Sequence, residues 1–191
     1  MPRAGLTTST VVDAAARMLD ERPGDALNLA TLAESLGVKA PSLYKHVDGV
    51  DGLRRRIMLR AKTGFADALT DAAVGTSGAD ALRACATAYR RWAEAHPGQY
   101  ALTVRAPLAG DVDDEEVSER LASIVFRVVA GFGVDGDDLV DAVRFVRAAL
   151  HGFVDLETGG AFELPTATER SFDRMVASVA GALAAFGRPA G

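Results

Sequence analysis

The stretch LAESLGVKAPSLYKHV, residues 32–47, decides the fold of the first part of this 191-residue chain. Ala33 is small enough for two helices to cross closely, and Gly37 can take the left-handed conformation that ends a helix. The inner faces of such a pair can be covered by four apolar residues, Leu32, Leu36, Val38 and Leu43. The pattern predicts a helix-turn-helix, whose first helix follows a cap at Asn28 and whose second covers about residues 40–46.

Helical periodicity continues on both sides of this stretch. Before it, Thr8 or Ser9 can cap a first helix that ends at the Pro and Gly of residues 21–26. After it, Asp51 can cap a long helix that carries an apolar residue every four positions. The apolar stripe of the long helix is Leu53, Ile57, Ala61, Phe65 and Leu69. The first helix and the two short ones are predicted to form a three-helix head.

The remainder of the chain predicts five further helices, separated by segments rich in Gly, Pro and Asp. They cover about 79–95, 97–107, 113–132, 137–158 and 167–186. The segment VGTSG, residues 74–78, is the best boundary, so we expect a head over residues 1–52, a connecting helix over 53–74 and a body over 75–191. The chain is therefore predicted to be all-α, with about nine helices.

Composition favours a helical protein of the cytoplasm. Hydrophobic residues make up 49% of the chain and aromatic residues only 6%, a mix that favours helices over sheet. The single cysteine, Cys85, cannot form an internal disulfide, which fits a reducing compartment. No segment reaches the ~20 apolar residues of a membrane helix, and the N-terminus lacks the apolar core of a signal peptide. We expect a cytoplasmic protein without a membrane partner.

Charge is distributed unevenly along the chain. Residues 1–60 hold nine Lys/Arg and seven Asp/Glu, a net of +2, whereas residues 61–191 hold twelve and nineteen, a net of −7. Any contact with nucleic acid is therefore expected in the head.

The second helix of the helix-turn-helix carries the candidate DNA contacts. Its start can reach base edges in the major groove and its far end can donate to phosphates. The candidates in these two groups are Lys39, Ala40, Pro41 and Ser42, then Tyr44, Lys45 and His46. Thr8, at the start of the first helix, and Arg3 can add phosphate contacts. The alternative is a three-helix unit without a DNA role, in which Tyr44 and His46 fill the edge of a core.

The head resembles the DNA-binding segment of the tetracycline-repressor (TetR) family of bacterial transcription regulators. The matching residues lie in LAESLGV, in LYKHV and at Leu53, which follows the break between the helix-turn-helix and the long helix, VDGVDG (residues 47–52). The resemblance implies a homodimer, with a double-stranded DNA operator and a small-molecule effector as partners. In the body, LHGFVDLETGGAF (150–162) looks like a subgroup with a Trp-His-Gly motif, although Leu150 stands in place of the Trp.

The break before the long helix departs from the family pattern. Family members usually carry a Lys there that meets a phosphate, but this chain has Val50 between Asp48 and Asp51. The two carboxylates would repel DNA. Arg54 is the candidate compensating contact, together with Arg55 and Arg56 in the same turn. We therefore expect weaker non-specific DNA binding than in relatives with the Lys.

The last two helices are the candidate dimer surface, because small residues there allow close approach of helices. The predicted interface residues are Val179, Ala180, Leu183 and Ala184. The alternative is an ordinary terminal helix that is buried within a monomer.

Aromatic and polar residues of the body are the candidate ligand contacts. They are Tyr89, Trp92, Arg105, Phe126, Arg147 and His151. For Trp92 a packing role is an equal alternative, and a solvated face or a salt bridge to Asp141 is the alternative for Arg144 and Arg147. Gly152 is expected to mark close packing of two helices.

Signals for an enzyme are weak. The three histidines lie far apart in the chain without metal-ligand spacing, and no phosphate loop is present. Cys85 sits on an apolar helix, where a buried, unreactive thiol is expected. We expect no enzyme activity, no cofactor and no metal. Two hypotheses stay open: a ligand-responsive DNA-binding regulator, and a helical small-molecule- or partner-binding protein whose head has lost DNA binding.

Overall fold

The computed structural model describes residues 6–186, which form nine helices and no strand; Arg3 lies outside them. The helices are α1 (Thr8–Glu21), α2 (Leu29–Ser35), a 3-10 helix (Ala40–Lys45), α3 (Gly49–Ala73), α4 (Gly78–Ala95), α5 (Pro97–Thr103), α6 (Val112–Ala130), α7 (Gly136–Thr158) and α8 (Thr168–Phe186). The predicted all-α fold is confirmed, and the body helices lie within four residues of their expected ends.

The head has its own core, made by α1, α2, the 3-10 helix and the start of α3. Leu32 and Leu43 are fully buried in it, and Gly37 has a φ of +66°, the left-handed conformation expected at the turn. The Asn28 carboxamide oxygen accepts from the Ala30 amide at 2.8 Å and caps α2, as expected. The second helix of the pair is wound more tightly than the α-helix that its spacing suggests.

The caps of α1 and α3 differ from the prediction. Thr7, rather than Thr8 or Ser9, caps α1, and its hydroxyl and that of Thr10 each bind the other residue's backbone amide. Helix α3 begins at Gly49, which has a φ of +73°, so Asp51 lies in the first turn instead of capping it. A left-handed glycine at this position turns the chain into the helix one turn earlier than expected.

Helix α3 joins head and body as one continuous helix of 25 residues. Leu53 and Ile57 are buried in the head core, whereas Phe65 and Leu69 are buried in the body core. Helix α3 therefore contributes residues to both cores and links the head to the body.

The body packs α3 and α4 against α6, α7 and α8. A Cβ atom added at Gly152 would meet no atom of residues 6–186 within 4 Å, so the close packing expected there does not occur among these residues. Among residues 6–186, no helix is both long enough and apolar enough to cross a membrane.

Candidate DNA-binding head and ligand cavity

The predicted DNA-contact residues of the 3-10 helix form one surface on the head. The side chains of Lys39, Pro41, Tyr44 and Lys45 are exposed, and Tyr44 is 63% exposed although it is aromatic. Ala40, Ser42 and His46 are partly buried, and Ala40 packs against the head core. The Thr8 hydroxyl lies 3.4 Å from the His46 carbonyl oxygen, to which it donates, so the start of α1 adjoins this surface. All the described candidates of this region are at least partly exposed, and their contact with DNA stays a prediction.

Val50, at the position where the family usually has a lysine, takes part in the packing of the head. Val50 is partly buried and packs against the head core, where an apolar side chain is stabilising. Arg54 is exposed and available to DNA. Arg55 is not, because its guanidinium binds Asp111 at 2.5 Å and Asp113 at 2.7 Å on the body. This guanidinium holds the pKa of Asp111 below its usual range.

A second junction joins the head to the body between α1 and α5. The Asp20 carboxylate accepts from the Gln99 backbone amide at 3.0 Å and from the Gln99 side chain at 2.6 Å. A Cβ atom on Gly98 would lie 2.0 Å from the Leu19 carbonyl oxygen, so only glycine allows the two backbones to approach this closely. The sequence offered no signal for this contact beyond the Gly itself.

A cavity of about 380 Å³ lies between α3, α4, α6 and α7 in the body. Tyr89, Arg105, Phe126 and Arg147 line it, so the structure brings four of the six predicted ligand contacts together. The walls are otherwise mainly apolar, including Leu69, Leu121, Ile124, Val125, Val143, Val146 and Leu150. Its size and lining are those of a small-molecule site.

Trp92 does not line this cavity. Its ring packs 4.8 Å from that of Phe65 and 4.9 Å from that of His96, measured between centroids. It borders a separate depression of about 650 Å³ on the outer surface of α3 and α4, which is open to solvent. Trp92 therefore belongs to the packing of α4 on α3, the alternative that its sequence left open.

His151 lies behind the cavity wall. Its Nδ1 is 2.6 Å from the Tyr100 hydroxyl, which is 2.7 Å from the Tyr89 hydroxyl. Burial raises the pKa of both tyrosines above the usual value, so both stay neutral near pH 7. Of these three hydrogen-bonded residues only Tyr89 lines the cavity, and His151 is linked to it through Tyr100.

The sequence analysis missed a buried ion pair at the wall of the cavity, to which Lys62 contributes. Lys62 is 1% exposed, and its Nζ lies 2.5 Å from the carboxylate of Asp114, which is fully buried, and 2.8 Å from the Ser118 hydroxyl. The other Asp114 oxygen accepts from Arg105 at 3.1 Å and from the Leu108 amide at 3.2 Å. Burial alone would raise the pKa of Asp114, but the Lys62 hydrogen bond and these contacts lower it.

These ion pairs fasten α3 to the start of α6. The acidic residues Asp113, Asp114 and Glu115 lie in the first turn of α6, where carboxylates also interact favourably with the helix dipole. Lys62, the partner of Asp114, lies 52 positions away from it in the chain, and local spacing gives no sign of such a pair.

The dimer prediction needs correction for two residues. Val179 and Leu183 are only 4% and 0% exposed, because they fill the core of their own chain. Ala180 is partly buried against that core, and Ala184 is exposed. The exposed residues in the second half of α8 are therefore mainly small, with Phe186 at its end, whereas Val179 and Leu183 face the core.

Arg144 and Arg147, which both line the cavity, also form contacts within the protein. Arg144 binds Asp141 at 3.2 Å, while Arg147 donates to the Val104 carbonyl oxygen at 2.7 Å. Cys85 is buried, and burial raises the pKa of its thiol, as expected for an unreactive cysteine. Within residues 6–186, no cluster of three His, Cys, Asp or Glu side chains could hold a metal ion.

Comparison with known proteins places these features in a family. Residues 82–179 match the model of the tetracyclin repressor-like C-terminal domain. The chain is 35% identical over 181 residues to the uncharacterized HTH-type transcriptional regulator Rv0681 of Mycobacterium tuberculosis, covering 94% of this chain and 83% of the relative. It is 32% identical over 163 residues to the uncharacterized HTH-type regulator YobS of Bacillus subtilis, covering 85% and 84%.

The fold is also that of solved members of the family. The structure of the TetR family protein ActR from Streptomyces coelicolor, in complex with (S)-DNPA, superposes with a TM-score of 0.66 over 97% of this chain and all of that chain, at 19% identity. None of these matches distinguishes the Trp-His-Gly subgroup, which stays a prediction. The chain belongs to the tetracycline-repressor family of helix-turn-helix transcriptional regulators.

Proposed function

We propose that the protein acts as a repressor that binds a palindromic operator as a homodimer and is released by a small molecule. The observation that carries this proposal is α3, whose first half lies in the head core and whose second half lines the cavity through Lys62, Phe65 and Leu69. A ligand in the cavity and DNA on the head therefore act on the same helix. The protein is proposed to have no enzyme activity and to work in the cytoplasm, where its DNA lies.

The 3-10 helix is proposed to enter the major groove. Ala40, Pro41 and Ser42 would face base edges, and Tyr44 and Lys45 would donate to phosphates. Lys39 and Arg54 are exposed and form no ion pair within the described residues, so their charges are free for phosphate oxygens. Thr8 and His46 already share a hydrogen bond, and their role is proposed to be mainly that of orienting this surface.

Release is proposed to follow from differential binding. A ligand that fits the cavity better when α3 is displaced shifts the dimer towards the state that does not match the operator. Each 1.4 kcal/mol of preference changes operator affinity by about tenfold. The complex of the family member ActR with (S)-DNPA supports a ligand-binding role for the shared fold.

The dimer is proposed to form through the outer faces of α7 and α8. On α7, Phe145, Gly152 and Leu156 recur at helical spacing and are not buried by this chain. On α8, the small residues Gly181 and Ala184 leave room for a second helix. Two such helices from each protomer would form a four-helix bundle and bury this apolar surface.

Leu156→Arg is expected to raise the dimer dissociation constant by about thirtyfold, because it places a charge where an apolar contact is worth about 2 kcal/mol. Sedimentation velocity over a concentration series measures the change. Val74→Arg is the matched control, since Val74 is also exposed but lies in the loop between α3 and α4. Equal behaviour of the two variants would place the interface elsewhere.

Lys39→Ala and Lys45→Ala are each expected to weaken binding to DNA from upstream of the protein's own gene. Each is expected to lower the slope of log affinity against log salt by about 1, since each removes one phosphate contact. Fluorescence anisotropy at several salt concentrations measures this slope. The control is Arg91→Ala, which removes an exposed cation from α4 and should leave the slope unchanged.

The alternative function makes the opposite prediction in the same measurement. If the wild-type protein forms no salt-sensitive, sequence-specific complex, the head has lost DNA binding and the protein binds only a small molecule or a partner. If Arg91→Ala lowers the slope of log affinity against log salt as much as Lys39→Ala and Lys45→Ala do, the 3-10 helix is excluded as the DNA-contact surface.

A further inference from the structure

We propose that the effector is an apolar molecule that carries one anionic group, such as a carboxylate. This inference rests on the proposed function, because it names the chemical class of the ligand for the same cavity. The observation behind it is the sign of the charges around the cavity, which local sequence patterns do not reveal.

All the charged residues that line the cavity are cations. They are Lys62, Arg105, Arg144 and Arg147, and no Asp or Glu of residues 6–186 lines the cavity. The remaining lining is mostly aliphatic and aromatic, with Tyr89, Thr103 and Ser118 as the neutral hydrogen-bonding groups. A cationic ligand would meet like charge, apolar surface and these neutral groups there, but no carboxylate of the described lining.

Carboxylates of the protein neutralise these cations only in part. Asp114 is shared by Lys62 and Arg105, which leaves one positive charge in excess in this group. Arg144 is matched by Asp141. Arg147 donates to the Val104 carbonyl oxygen and has no carboxylate partner among the described residues, which adds a second excess charge.

The guanidinium groups of Arg105 and Arg147 both adjoin the same segment of the cavity wall, since they donate to the carbonyl oxygens of Ala106 and Val104. Arg105 follows Val104 in the chain, and Arg147 is bound to the Val104 carbonyl, so both guanidinium groups border the segment 104–107. A guanidinium binds a carboxylate through two parallel hydrogen bonds, and such charge-assisted bonds are the strong ones in proteins. A carboxylate taken from water into an apolar cavity needs such partners to offset the loss of its hydration.

The cavity also limits the size of the ligand. Its volume of about 380 Å³ equals that of about a dozen water molecules in the liquid. A carboxylate with an apolar body of roughly ten carbon atoms is therefore of suitable size.

An anion at Arg105 would act directly on the contact between α3 and α6. The Arg105 guanidinium already binds Asp114, so a second carboxylate there competes for it and shifts Asp114 relative to Lys62. Because Lys62 belongs to α3, recognition of the anionic group and displacement of the helix that carries the head are the same event.

The test compares matched probes that differ only in their polar group. Isothermal titration calorimetry of the full chain with decanoate, 1-decanol and decylamine, and with 2-naphthoate and 2-naphthol, measures the preference for a charged end. At least one carboxylate is expected to bind about tenfold or more tightly than its uncharged partner, the size of a charge-assisted hydrogen bond. Decylamine is expected to bind more weakly than decanol.

Variants locate the preference. Arg147→Gln and Arg105→Gln are each expected to bring the carboxylate close to the affinity of its uncharged partner, and Arg91→Gln is expected to leave the preference unchanged. Arg147 binds only a backbone carbonyl, so its variant keeps the test valid if the Arg105 variant unfolds. The proposal is overturned if neither carboxylate binds more tightly than its uncharged partner, which includes the case in which no probe binds. It is also overturned if both arginine variants still bind the carboxylate more tightly than its uncharged partner.

Operator release is measured separately, by adding the same probes to the protein–DNA complex. If the protein binds a carboxylate probe more tightly but is not released from DNA by it, or does not bind DNA at all, this inference is supported and the proposed function is contradicted. Release by uncharged probes alone supports the proposed function and overturns the inference.

Discussion

Asp114→Ala is expected to lower the free energy of unfolding by about 3–5 kcal/mol, because it leaves the Lys62 ammonium buried without its carboxylate. The same change removes the acceptor of Arg105 and of the Leu108 amide. Equilibrium unfolding in urea, followed by circular dichroism, measures the loss.

A second pair between the same two helices provides the control. Asp67 on α3 binds Arg120 on α6 at 2.6 Å, but both side chains are about half exposed. Asp67→Ala is therefore expected to cost less than about 1 kcal/mol. If Asp114→Ala lowers the free energy of unfolding no more than Asp67→Ala does, burial does not strengthen the Lys62–Asp114 pair.

The double variant Lys62→Met with Asp114→Asn separates a lost interaction from a stranded charge. It removes both charges and keeps an amide oxygen for the Leu108 backbone. We expect it to be more stable than Asp114→Ala, since a buried pair replaced on both sides leaves no unpaired charge. If its loss of unfolding free energy equals the sum of the losses of the single variants Lys62→Met and Asp114→Asn, the two residues are not coupled.

Gly98→Ala is the second change with a large expected effect, about 3 kcal/mol or more of unfolding free energy. The added Cβ would lie 2.0 Å from the Leu19 carbonyl oxygen and 2.2 Å from the Leu19 carbonyl carbon. Both are backbone atoms, which cannot rotate away, so α5 must move off the end of α1. The hydrogen bonds from Gln99 to Asp20 would then lengthen as well.

Thermal and urea unfolding measure the Gly98 effect, and amide hydrogen exchange near Leu19 reports where the structure opens. Gly64→Ala is the matched control, because its Cβ would meet only Trp92 Nε1, at an ordinary 3.7 Å. That change lies within α3 and is expected to stabilise by up to about 1 kcal/mol. A Gly98 variant as stable as the wild type would mean that the α1–α5 junction is looser than the structure shows.

Local patterns in the sequence were enough for the helices and for the head. A helix depends on residues three to four positions apart, and a turn depends on one glycine such as Gly37, so both can be inferred from short stretches. The surface from Lys39 to His46 followed in the same way, because its residues are close together in the chain. The early start of α3 was missed because Gly49 takes a left-handed conformation that sequence alone does not require.

The tertiary structure decided every feature that depends on residues far apart in the chain. Helical spacing shows that Val179 and Leu183 share a face, but not whether that face meets its own chain or a partner. Spacing likewise cannot pair Lys62 with Asp114 or Gly98 with Leu19, since these contacts depend on how whole helices pack. The sequence by itself therefore determined the helices and the DNA-binding head, and only packing decided what the cavity presents to a ligand and how it is linked to α3.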